Sequence, residues 1–560
     1  MPATAVDEAA CLAADRSDAS EVVDTMIRSI VRTALALTVA AGVCFAGTPP
    51  PLAASAPLGV LVTGGEVSGH AADGVVEYLG IPFAASTAGA ARFGPPRPVP
   101  PWTGVRPARE HGPQCAQNGY LPGVPPIGQI SEDCLTIDVY APDRAPDRPL
   151  PVMVFFYGGG YINGSNSEYE GPTRMVADGD VIVAVPNYRL GPFGFMSLPE
   201  LTAESGGATG TVGIQDQQAA LRWVRDNAPA FGGDPGNVTI FGESAGGVSV
   251  CTHFAAPGSE ALFAKAIIQS GACAQAPVAP VDPGDAFARS RRYAERVGCG
   301  DPATRLACLR ALPVAALLNA PNVEADGQTP VWVPSIDGVV ITRTLHAALV
   351  GDARKTPLIV GSTSAEGALS VAETDYARGH VPDAASYERY VRESFGADAE
   401  RVLARYPLDR YPSPAAAQIA VITDSRFACP ALFTSRTARE AGHPLWQYEV
   451  DQAPLGAANP VLPGAFHSSE LFYLFTRFMG VPIPWTGASA AFAARMQRWW
   501  TTFAHTGDPN DPGPPEWPAW PESAGHSSDG PALIMRATGS VVTEDFAATH
   551  DCAFWAERDR

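Results

Sequence analysis

Short apolar runs rich in β-branched and aromatic residues punctuate the chain, separated by glycine, proline and polar turns. The runs at 137–140, 152–156, 181–185, 238–241, 264–269, 358–360 and 445–450 read as buried strands. Residues 59–83 read as short strands with glycine turns, ending in Leu79-Gly80-Ile81-Pro82-Phe83. Helical spacing marks 215–225 and 471–478, while the Ala/Arg-rich stretches 276–330 and 375–440 read as helical insertions or a lid. Apolar strands alternating with helices predict an α/β fold: a twisted, mostly parallel sheet with helices on both faces and antiparallel pairs at its edge.

One stretch organises the rest. The strand at 238–241 runs directly into Gly242-Glu243-Ser244-Ala245-Gly246, and a small-residue segment then continues to Ala256 as a helix. This is the strand, sharp turn, helix context of a nucleophile elbow. A serine held at strained angles projects its hydroxyl into a cleft, and side chains two residues either way would collide. The glycines remove them, and the positive end of the following helix points at the site.

Composition narrows the class. The chain has 560 residues, 46% of them hydrophobic, and a net charge of −20. Lys265 and Lys355 are its only lysines, and no basic cluster occurs, which argues against nucleic acid and anionic membrane surfaces as partners. Residues 1–25 are acidic and resemble no folded element. From Met26, Arg28 and Arg32 precede an apolar segment, 34–47, and a Pro/Ala-rich stretch with small-residue cleavage options at Ala54 and Ala56. Residues 1–56 therefore read as a leader, with a misplaced start over 1–25 and a signal peptide over 26–56, followed by one domain from 57 to 560. The apolar segment is too short to span a membrane comfortably, and no later stretch of the mature chain qualifies. The expected destination is secreted or extracytoplasmic. Outside the leader eight cysteines remain: Cys115, Cys134, Cys251, Cys273, Cys299, Cys308, Cys429 and Cys552. An even number in an exported chain predicts disulfides, and the absence of a C-x-x-C pair argues against zinc.

A serine nucleophile needs a base, an acid to orient it and donors for an oxyanion. The chain order in this fold class is serine, then Asp or Glu, then His. Six histidines lie far enough downstream: His380, His443, His467, His505, His526 and His550. His467 is the best placed, in a loop after the 445–450 strand, where sites form at the carboxyl edge of a parallel sheet. Glu366 follows the 357–360 strand through a short polar loop. Gly158-Gly159-Gly160, directly after an apolar strand, lets two N–H groups turn toward one point, and the Ala245 N–H supplies a third.

These residues resemble the type-B carboxylesterases, the α/β-hydrolase family that includes cholinesterases and bacterial para-nitrobenzyl esterases. The resemblance runs from about Val60 to Trp555. It is carried by Gly80-Ile81-Pro82-Phe83, Ser131-Glu132-Asp133-Cys134-Leu135, Tyr157-Gly158-Gly159-Gly160-Tyr161, Asn187-Tyr188-Arg189-Leu190-Gly191, the elbow, the stretch 503–510 and Cys552-Ala553-Phe554-Trp555. It implies a triad of Ser244, Glu366 and His467 and an oxyanion hole from Gly159, Gly160 and Ala245. It also implies disulfides Cys115–Cys134, Cys299–Cys308 and Cys429–Cys552, and ion pairs Arg92–Glu132 and Arg189–Asp216. Cys251 and Cys273 fall outside that framework. Residues 116–133 hold no tryptophan and only Tyr120 as an aromatic, unlike the choline-binding loop of cholinesterases.

The expected activity is hydrolysis of small carboxylic esters through an acyl-enzyme, with no metal or cofactor. Two alternatives remain at this level. The same triad could serve amides, carbamates or lactones, and some relatives on this scaffold are non-catalytic adhesion proteins that have lost triad residues. Acyl preference and oligomeric state stay open.

Overall fold

Strands covered on both faces are buried along their whole length, and five of the strands here are, with apolar residues predominating. The computed structural model describes residues 56, 58–119, 128–274, 278–323, 329–456, 459–512, 516–521 and 529–558. The leader (save Ala56), Tyr120 and His526 lie outside these residues.

The central sheet has eleven strands. In chain order they are β1 (His70–Ala72), β2 (Val75–Pro82), β3 (Thr136–Pro142), β4 (Leu150–Phe156), β5 (Ile182–Pro186) and β6 (Gly233–Glu243), followed by β7 (Lys265–Gln269), β8 (Leu358–Thr363), β9 (Leu445–Val450), β10 (Ala532–Met535) and β11 (Val541–Thr543). Their spatial order is β11-β10-β9-β8-β7-β6-β4-β5-β3-β2-β1. The strands from β10 to β5 run parallel, and β4, β5, β7, β8 and β9 are buried at every residue. Antiparallel pairing is confined to the margins, where β11, β3, β2 and β1 lie. The short outer strands β1 and β11 are partly exposed, as sheet edges are.

Six helices matter for the site: α1 (Val212–Asn227), α2 (Ala245–Ala255), α3 (Gly367–Thr374), α4 (Pro414–Thr423), α5 (Cys429–Glu440) and α6 (Gly487–Thr506). Successive residues of a strand face opposite ways. Phe156 accordingly stacks on His253 of α2, while its neighbour Phe155 packs against Phe475 on the other face. On that same second face, Trp500 of α6 donates to the side chain of Gln269 in β7. The sheet is thus covered on both sides, the doubly faced α/β arrangement that the strand pattern predicts. No helix among the described residues is long and apolar enough to cross a membrane.

The stretch 471–478 is not one helix. Leu471–Leu474 makes a single turn, Phe475 is extended, and Arg477–Phe478 pairs antiparallel with Tyr169–Glu170. Phe475 and Phe478 both reach Tyr169, so aromatic packing against the sheet outweighs the local helical spacing.

Four disulfides form, Cys115–Cys134, Cys251–Cys273, Cys299–Cys308 and Cys429–Cys552. Cys251–Cys273, which the sequence leaves open, ties α2 to the segment just after β7. Cys429–Cys552 joins the start of α5 to the carboxyl-terminal helix across 123 residues, against 9 for Cys299–Cys308. In the chain-entropy account the longer loop stabilises more. Replacing Cys429 and Cys552 together by alanine is expected to cost about 4–5 kcal/mol in urea unfolding, and replacing Cys299 and Cys308 about 2–3 kcal/mol. Equal losses from the two pairs would contradict that account.

Candidate active site

The elbow follows from backbone crowding. Ser244 sits between β6 and α2 at φ 57° and ψ −123°, a conformation L-residues avoid. A Cβ on Gly246 would lie 1.9 Å from the Phe156 carbonyl oxygen, so only glycine lets α2 come this close to β4. The Ser244 N–H donates to the Gln269 carbonyl at 2.9 Å, fastening the turn to β7.

The glycine loop leaves β4 beside this turn. Gly159 and Gly160 take φ of 93° and 60°, and among the described residues their N–H groups have no acceptor. Ala245 is the first residue of α2, where a helix leaves its N–H groups unpaired. The loop is held from two sides. Tyr157 and Tyr188 stack at 4.4 Å and exchange hydrogen bonds with each other's backbone, the Tyr188 hydroxyl donating to the Tyr157 carbonyl at 2.6 Å. Gln117, two residues beyond Cys115, accepts from the Gly164 N–H and donates to its carbonyl.

Two arginine forks brace the surroundings. Arg189 grips Asp216 with two bonds of 2.7 Å in a fully buried pair, and Arg92 grips Glu132 with two of 2.6 Å. Arg92 also donates to the carbonyls of Leu309 and Leu312, tying the insertion to the loop at Cys134.

Glu366 lies just past the end of β8 and is 1% exposed. Its Oε1 accepts from the Thr363 N–H at 2.7 Å and the Ser270 hydroxyl at 2.6 Å. Its Oε2 lies 2.6 Å from His467 Nδ1. The loop bearing His467 is pinned to the Glu366 loop, because the Ala365 N–H donates to the Ala465 carbonyl and Ala365 bridges Phe466. The ring of Phe427 lies 4.6 Å from the imidazole, presented by a π-helical turn over Asp424–Ala428. Such turns recur at functional sites because they displace one side chain from the helical register.

The other downstream histidines have structural surroundings. The ring nitrogens of His443 lie 2.9 Å from the carbonyls of Thr356 and Leu349, and His505 faces the Gly179 carbonyl. His380 pairs with Asp375, and His550 is buried between Asp424 and Glu449.

Three carboxylates surround His467, and two of them escape a triad search. His467 Nε2 lies 3.3 Å from Glu243 Oε1, which also accepts from the Ser468 hydroxyl at 2.7 Å. The Ser244 hydroxyl makes no hydrogen bond among the described residues. Nε2 is turned to Glu243, as an imidazolium with two donors would be. Burial drives the His467 pKa down, but Glu243, Glu366 and Glu470 outweigh it and push the pKa up to about 10. Burial pushes Glu243 up to about 7 against the pull of His467. Glu470, fully buried, is pushed far above the carboxylate range by burial and by the charges of Glu243 and Glu366, and its Oε2 has no partner among the described residues. Glu243 stands inside the elbow motif and Glu470 three residues after His467. Neither spacing announces a role, since both meet the imidazole only through the fold. No group of three metal-ligating side chains is assembled among the described residues.

Residues 56–555 match the model of the carboxylesterase family. The chain is 34% identical over 465 residues to para-nitrobenzyl esterase of Bacillus subtilis (strain 168), covering 80% of this chain and 89% of that protein. It is 32% identical over 458 residues to fumonisin B1 esterase of Sphingopyxis macrogoltabida, covering 80% and 81%. An elbow serine beside an oxyanion loop and a carboxylate-held imidazole, on a sheet of this topology and with these relatives, places the chain in the carboxylesterase family as a carboxylic ester hydrolase.

Proposed function

We propose that Ser244, His467 and Glu366 hydrolyse esters by two-step acyl transfer, with Gly159, Gly160 and Ala245 as the oxyanion hole. The observation that carries this reading is the 2.6 Å contact of Glu366 Oε2 with His467 Nδ1 beside the elbow. It holds the imidazole in the tautomer that leaves Nε2 free to act as a base. When His467 is neutral, Nε2 accepts the Ser244 proton as Oγ attacks the ester carbonyl. The N–H groups of Gly159, Gly160 and Ala245 receive the charge on the tetrahedral oxygen, each worth about 3 kcal/mol in the transition state. The imidazolium then protonates the departing alcohol, and water activated by His467 releases the acid. Glu243 and Glu366 flank the imidazolium on its two nitrogens and stabilise it as it forms.

The reading extends to the cell. Four disulfides suit an oxidising, extracytoplasmic environment. With the basic and apolar pattern from Met26, they support export through a signal peptide at 26–56, leaving 57–560 as the working domain.

Three outcomes test the catalytic assignment. Ser244→Ala is expected to lower kcat on a simple ester about 10⁶-fold with the circular-dichroism spectrum unchanged; a residual rate above roughly a hundredth would refute the nucleophile. His467→Ala should behave alike, whereas His443→Ala and His505→Ala keep rates within about tenfold after correction for folded fraction. Glu243→Gln removes a negative charge beside Nε2, so the imidazolium loses its proton at lower pH. The rising limb of kcat/KM should therefore move to lower pH, and the plateau kcat should fall about tenfold. A limb that stays put or moves upward would show that Glu243 does not act on His467.

A further inference from the structure

The helix that begins at Glu366 carries a second acid toward the substrate. One face of α3 is filled by Gly367, Ala368, Val371 and Ala372, all buried. Gly367 and Val371 sit on the side of α4, where a Cβ on Gly367 would meet the Ile419 carbonyl at 2.5 Å. Ala368 and Ala372 pack with Leu462 and Phe466, the residues leading to His467. The opposite arc is Leu369, Ser370, Glu373 and Glu366 itself. Of these only Glu366 is buried; the other three are partly exposed. Seven residues make nearly two full turns, so Glu373 lies on the same stripe as Glu366, about 10 Å further along the axis. Glu366 points at His467, so the stripe runs outward from the imidazole's side of α3, with Glu373 toward its outer end.

Glu373 also lacks the partners that structural acids have here. Glu132, Asp216 and Glu204 are gripped by arginines, and Glu243 and Glu366 accept from hydroxyls or amides. Among the described residues none bonds to or pairs with Glu373. Burial pushes its carboxyl up to about 7, with the charge of His467 as the opposing influence, so the two groups sense each other across the cleft. A carboxylate in that position is stabilised by whatever cation enters. The net charge of −20 also draws cations toward the molecule.

We propose that Glu373 is a specificity-determining residue: a carboxylate on the wall of the ester site that takes an N–H-bearing ammonium group of the substrate. The favoured substrates are then amino-substituted esters, positioned by a charge-assisted hydrogen bond while the ester carbonyl reaches Ser244. The recognition depends on a donor hydrogen as well as on charge. The proposal rests on the ester-hydrolase reading of Ser244, Glu366 and His467.

The test uses two pairs of esters that differ only by nitrogen for CH, at about pH 8, where amine and carboxylate are both mainly charged. On the alcohol side these are 2-(dimethylamino)ethyl butyrate and 3-methylbutyl butyrate. On the acyl side they are 4-nitrophenyl 4-(dimethylamino)butyrate and 4-nitrophenyl 5-methylhexanoate. In at least one pair the full-length enzyme should favour the amine in kcat/KM by about tenfold, chiefly through KM, and Glu373→Gln should remove most of that preference. Glu373→Asp, which keeps the charge, should restore part of it. No amine preference in either pair, or a preference that survives Glu373→Gln, overturns the proposal. So does an equal loss on amine and isostere, which would mark a structural role. If the neutral isosteres are not turned over at all, it is the ester-hydrolase reading that has failed.

Discussion

The approach of α2 to β4, made possible by the bare Cα of Gly246 against the Phe156 carbonyl, is the contact on which the site is built. It forces the chain to reverse within one residue, and Ser244 absorbs the reversal at positive φ. The same contact brings the first amide of α2 next to the glycine loop that leaves β4. Ser244 and the glycine loop thus share one packing constraint, and neither can shift without the other. Strain of this kind, of order 1–3 kcal/mol, persists only where the surroundings over-determine it. Here the Ser244–Gln269 bond, the Tyr157–Tyr188 pair and the Cys251–Cys273 bridge surround it.

Electrostatics sets the second constraint. An imidazole with carboxylates at both nitrogens is well prepared to receive a proton and reluctant to lose one. The fold moderates this by giving the three buried acids different hydrogen-bond partners. Glu366 accepts from an amide and a hydroxyl. Glu243 has one hydroxyl and is pushed up to about 7, and Glu470, with an oxygen that has no partner among the described residues, is pushed far above the carboxylate range. One of the carboxyls facing the imidazole is therefore itself sensitive to pH near neutrality. Burial is nearly the same for all three, so their different hydrogen-bond partners and neighbouring charges are what set them apart.

Local sequence was enough for the sheet. Runs such as Leu150–Phe156 and Ile182–Pro186 are apolar throughout because parallel strands are covered on both faces, and that demand is written residue by residue. The elbow was equally legible, because a strained turn between a strand and a helix requires glycine at fixed offsets. By contrast, Leu471–Phe478 carries helical spacing and yet unwinds after Leu474, since Phe475 and Phe478 gain more by packing on Tyr169 than by continuing the turn. Competition between local propensity and distant aromatic partners cannot be weighed from the segment alone.

By itself the sequence determined the strand–helix alternation, the elbow serine, the candidates Glu366 and His467, and the number of cysteines available to pair, all of which depend on short-range pattern or chain order. The tertiary structure alone decided that Cys251 meets Cys273, that Phe427 covers the imidazole from a π-turn, and that Glu243 and Glu470 join Glu366 around one histidine. Those groups lie tens to hundreds of residues apart in the chain. Their meeting is set by how strand ends and loops converge at one edge of the sheet, and their charge states by a burial that exists only once the chain has closed around them.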